Sequence, residues 1–282
     1  MVSTAQFNDL AKRVNDLERD NAHLGQIAAL RDEFAGMKSD FFLDIAAGKI
    51  AGHSHVNKFG ENSAVASGGT EDVWDIGGTY VFPATADITH ILTDVDDATM
   101  QGETIEVQGL DTNWALVTQT ADLDGANTTT AVALSTALRR VFRMKVLADV
   151  VAAQDINATN VGDTQDYARI QIGENQTQMA IYTIPLNTTG YLTQYYRDYV
   201  KVTGAAPNSV EFSMYHADRE NGYEFQLKHS GAIQDGASGI PYEFKPYLKA
   251  TEKTDIVMRA TANGAAAHVH SGFDIILVED GF

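Results

Sequence analysis

The chain has 282 residues, no cysteine and a formal charge of −18, with 44% hydrophobic and 21% charged residues. That composition suits a globular protein with room for two ordinary domains, and it excludes a disulfide framework or a thiolate metal site. The acidic excess argues against a nucleic-acid partner, because such binding depends on Lys and Arg displacing counterions from phosphates.

Met1 through Gln6 lack a basic segment followed by an apolar run, so no export signal is expected. No apolar stretch nears the ~18–20 residues needed to span a bilayer, so no membrane insertion is expected either. Synthesis in the cytoplasm of the producing cell follows from both readings.

Ser3 and Gln6 have the spacing of a capping box, with Val2 and Phe7 placed as a hydrophobic staple. Phe7, Leu10, Val14, Leu17, Asn21 and Leu24 then alternate spacings of three and four, the seam of a coiled coil. Asn21 occupies an a-type position, where a polar residue sets register. The alternation slips between Leu24 and Ile27, then resumes through Leu30, Phe34 and Met37. This pattern predicts a helix of roughly 35 residues, about 50 Å long. A narrow apolar seam between charged flanks points to self-association; packing against the chain's own β-domain is the alternative. The mixture of Phe, Val and Leu in the seam does not fix the number of copies.

After Phe41-Phe42-Leu43-Asp44-Ile45 the character changes. Glycines punctuate residues 48–78, and short strand-like runs follow. Early candidates are 79–82, 88–92, 104–107 and 114–117. Arg140 through Val146 reads as an alternating strand, with Arg and Lys on one face and Val, Phe and Met on the other. Later candidates are 168–172, 179–184, 191–202, 210–215, 223–227, 255–260 and 273–278. Strands separated by turns, without amphipathic helices between them, predict antiparallel sheets. Residues 147–162 are poor in strand pattern and rich in Ala, Asn and Asp, and so form the expected boundary. The predicted fold is mainly β: an N-terminal coiled-coil helix (1–47) followed by two antiparallel, jelly-roll-like β-sandwich domains (48–160 and 161–282).

His53-Ser54-His55 is the sharpest local motif. On an extended strand both imidazoles share a face. At the axis of a homotrimer three copies would offer six nitrogens to a transition metal, whereas a pair of surface histidines is the plainer reading. His268-Val269-His270 repeats the spacing. Asp94-Val95-Asp96-Asp97 and Asp122-Leu123-Asp124 offer hard oxygens, but neither fits an EF-hand loop. Trp74, Trp114 and the cluster Tyr191, Tyr195, Tyr196 and Tyr199 suit either a core or a sugar platform. There is no G-x-S-x-G, no H-E-x-x-H, no P-loop and no dinucleotide fingerprint. No catalytic activity is expected, and no cofactor beyond a metal at such an axis.

Gly52 through Asn62, followed by Thr70-Glu71-Asp72-Val73-Trp74-Asp75-Ile76-Gly77-Gly78 and Thr79-Tyr80-Val81-Phe82-Pro83, resembles a family of virion structural proteins of tailed, marine or cyanophage-type bacteriophages. Ile105 through Asp111, Arg140 through Met144, Met179 through Tyr182 and Gly272 through Asp280 resemble it too, so the likeness covers about residues 48–282. It implies a component of the virion, assembled in the host cytoplasm, and carries no catalytic or binding residues with it. With the helix it suggests a homotrimeric capsid decoration or head-fibre protein touching other virion proteins such as the major capsid protein. A tail-associated adhesin binding host surface glycan is the alternative, and a polysaccharide depolymerase a third reading.

Overall fold

The computed structural model describes residues 3–19, 40–202, 204–237, 239 and 241–282. It divides into two compact units, Met1–Ser54 and His55–Phe282.

In the first unit, helix α1 spans Thr4–Arg19. Its start follows the sequence: the Gln6 amide donates to Ser3 Oγ at 3.2 Å, and the Ser3 amide donates to Gln6 Oε1 at 3.0 Å. Each bond satisfies an amide that the first helical turn would otherwise leave open. Along the expected seam Leu10 is 4% exposed, Val14 is half-buried and Phe7 is 52% exposed. Val2, Asn21, Leu24, Ile27, Leu30, Phe34 and Met37 lie outside the described residues, as does the side chain of Leu17. Helix α2, Phe41–Ala46, is a separate short helix. Asp40 caps it by accepting from the Phe42 amide at 3.0 Å. Among the described residues no helix is long and apolar enough to cross a membrane.

The second unit is built from antiparallel strands. Their ranges are β1 His53–Val65, β2 Thr70–Asp72, β3 Ile88–Thr93, β4 Thr104–Leu110, β5 Leu116–Asp122, β6 Val132–Leu138, β7 Arg140–Val146 and β8 Ile156–Thr159. The rest are β9 Asp166–Ile170, β10 Ile181–Thr183, β11 Thr188–Lys201, β12 Ser209–Asp218, β13 Gln226–Gln234, β14 Tyr242–Ala250, β15 Thr254–Asn263 and β16 Ala267–Glu279. They form four sheets, ordered β1-β16-β11-β14, β10-β15-β12-β13 with β2 also on β15, β6-β3-β8-β9, and β5-β4-β7.

One core lies between the first two sheets, holding Leu192, Phe273 and Ile275 from one and Phe212, Met214 and Met258 from the other. The second core gathers Ile88, Ile91, Ile105, Val107, Met144 and Ile156 from the last two sheets, and Ile181 and Val257 from the β15 sheet. Strand β15 therefore faces a core on both sides. That explains its nearly unbroken apolar run, Ile256-Val257-Met258, where a half-exposed strand would alternate.

Strand pairing crosses the boundary expected near residue 160. Strands β1 and β2 pair with β16 and β15, and β8 lies between β3 and β9 inside the supposed linker. Strand β8 gave no signal because all four of its residues are buried, which erases alternation. Residues 79–82 are not a strand. Gly77 and Gly78 take positive φ, and the Tyr80 amide donates to the Asp72 carboxylate at 2.7 Å rather than to a neighbouring strand. Trp114 stands at φ 65 in the turn before β5, so that strand begins only at Leu116. In β7 the alternation is broken: the pairing skips Phe142 opposite Gln108 and Gly109, a bulge that sends Phe142 to the first core and Val141 and Met144 to the second.

Candidate functional site

One buried carboxylate is fully partnered by its neighbours. Asp255 on β15 is fully buried and accepts four bonds: Arg140 Nε at 2.8 Å, Arg140 Nη2 at 2.9 Å, Arg219 Nε at 2.7 Å and Thr183 Oγ1 at 2.6 Å. Arg140 Nη1 also donates to the Pro83 carbonyl at 2.6 Å, and its guanidinium lies 5.1 Å from the Trp114 ring. Both carboxylate oxygens accept two bonds each, so this cluster ties β7, β10 and β15 together.

A cleft of about 410 Å³ is lined by His55, Asn57, Lys58, Gln108, Arg143 and Gln176 among others. Burial, with Arg143 nearby, lowers Lys58 to about 7, and its ammonium donates to the Phe142 carbonyl. Burial raises Asp75 to about 8. Its Oδ2 accepts the Gln178 amide at 2.6 Å, while Oδ1 is buried without a hydrogen bond.

His53 and His55 lie on β1 as the spacing predicts. His53 Nδ1 is 2.9 Å from the Ala51 carbonyl and its ring meets Phe41 edge-on, while His55 is exposed at the cleft. Among the described residues of one chain, neither joins a third histidine or carboxylate at ligand distance.

The other histidine pair does find one. Val269 and Ala267 of β16 point into the first core, so His268 and His270 project from the opposite face of that sheet. Neighbouring β1 presents Glu61 there. Glu61 Oε2 is 3.4 Å from His268 Nε2 and 3.7 Å from His270 Nδ1, and the two rings are 4.5 Å apart. One ligand atom from each residue falls within 4.8 Å of the others. The His268 Nε2 is buried and makes no hydrogen bond. Burial, then the neighbouring His268, holds His270 below the usual imidazole range against the pull of Glu61 and Asp198. The histidine spacing was legible in the sequence; Glu61 was not, because no local pattern announces which strand will lie beside β16.

The acidic loops are turn-formers. Asp96 Oδ1 accepts from the Thr128 amide, Asp97 from Thr99, and Asp124 from the Ala126 and Asn127 amides. Trp74 and Tyr195 are buried in the two cores, 3% and 1% exposed, and so form no surface platform.

No known family model matches the chain, and no curated protein does. Among solved structures it is similar to the infectious bursal disease virus VP2 subviral particle, at 10% identity over 82% of this chain and 73% of that one, with a TM-score of 0.20. A likeness that slight carries no argument about fold or function.

Proposed function

We propose that the chain is a non-enzymatic structural subunit of a tailed-phage virion, a capsid decoration or head-fibre protein that self-associates as a homotrimer through its N-terminal unit. The observation that carries this reading is exposed apolar surface. Phe41 and Leu43 of α2 are 48% and 63% exposed. Covering the exposed half of side chains of that size contributes about 1 kcal/mol each, and a closed ring of identical copies is the usual way to cover them. The seam spacing of α1 and the phage-like phrases between residues 52 and 83 support the same reading.

Light scattering of the full chain, set beside a chain that starts at Gly48, tests it. The β-body has its own cores and should fold without the helices. A trimer that becomes a monomer on truncation is expected. A monomeric full-length chain overturns the proposal.

A further inference from the structure

We infer that Glu61, His268 and His270 bind one divalent transition-metal ion, with Zn2+ the best-suited species, and that the ion clips strand β1 to strand β16. The inference is independent of the virion reading.

Donor chemistry selects the metal class. Two imidazoles and one carboxylate suit borderline ions such as Zn2+, whereas Ca2+ and Mg2+ prefer all-oxygen sets. The distances agree. Ligand atoms about 2.1 Å from a tetrahedral ion lie about 3.4 Å from one another, and the two Glu61 contacts are 3.4 and 3.7 Å.

Those same separations exceed the usual N–H···O range of 2.7–3.2 Å. The three ligand atoms lie within 4.8 Å of one another, and the His268 Nε2 is buried without a hydrogen bond.

The scaffold is already set. Val269, fully buried between the two histidines, anchors β16 in the core. Asp198 on β11 pairs with His270 in the sheet register. Its Oδ1 accepts the Tyr199 amide at 2.8 Å. Three protein ligands and one open position make a site that a small donor can complete.

The test uses the full-length protein stripped with chelator, dialysed and titrated with ZnCl2 in a calorimeter, with bound metal counted by elemental analysis. One ion per chain with a micromolar or tighter Kd is expected, along with a visible Co2+ spectrum of tetrahedral type. His268→Ala and His270→Ala should each weaken binding by at least about 100-fold. Circular dichroism should show unchanged strand content, since both side chains leave the core face. A His53→Ala/His55→Ala double variant should bind as tightly as the parent. No saturable uptake by the parent protein overturns the inference. So does uptake that survives loss of His268 and His270, or uptake that disappears with His53 and His55.

Discussion

In residues 55–282 side chains such as Phe212, Phe273 and Ile256 are fully removed from solvent, and the buried charge at Asp255 is matched bond for bond. In α2, by contrast, Ile45 is the buried residue while Phe41 and Leu43 stand in water. The β-body also exposes apolar side chains, Leu116 and Ile172 among them, but it encloses two cores of its own, whereas α2 buries Ile45 alone. Under the proposed function, the N-terminal unit is where a second copy has apolar surface to cover.

The sharpest way to break that comparison is to damage the self-sufficient part. Asp255→Ala leaves Arg140 buried with its main partner gone, and a loss of about 3–5 kcal/mol is expected in urea unfolding. A loss below 1 kcal/mol would mean that the cluster does not hold the sheets together. Gly60→Ala comes next. A Cβ there would stand 2.3 Å from the Ala180 amide nitrogen and 2.5 Å from the Val73 carbonyl oxygen, both backbone atoms. Strand β1 must shift, and a cost of about 1–3 kcal/mol is expected by thermal melting.

Asp75 gives a pH-dependent test of the same region. Its carboxyl titrates near 8 in the fold against 3.8 in the unfolded chain. Between those values the folded state holds a proton that the unfolded state has lost, so this group's contribution falls as pH rises. Asp75→Asn removes the titration. Relative to the parent it should gain about 1.4 kcal/mol for each pH unit between 5 and 7. Denaturation midpoints of the two proteins that run parallel across that range would count against a buried, protonated Asp75.

The smallest effect on stability belongs to the other region. Phe41→Ser combined with Leu43→Ser should leave the melting of the β-body within about 0.5 kcal/mol, since exposed positions contribute little. It should nevertheless lower the solution mass by light scattering. A large loss of stability with no change in mass would reverse the contrast between the two units.

Sequence periodicity located many of the elements where their signals were local. Ser3 and Gln6 sit within one helical turn of each other, so the capping box could be read directly and is present. Strands with one buried face and turn residues at their ends were legible for the same reason. The bulge at Phe142, the irregular path through residues 79–82 and the buried β8 were not. In each case the pattern was set by contacts with residues distant in the chain: Gly109 opposite the bulge, Asp72 beneath Tyr80, and β3 and β9 on either side of β8.

The composition, the helix start, the β character and the i, i+2 spacing of both histidine pairs belong to the sequence by itself, because each depends on neighbours within a few residues. Only the tertiary structure decided that β1 returns beside β16, that β15 is buried on both faces, and that His268 and His270 rather than His53 and His55 meet a carboxylate. Strand pairing carries no local code. It is selected by which apolar faces can be buried together, and that choice is made by the whole chain at once.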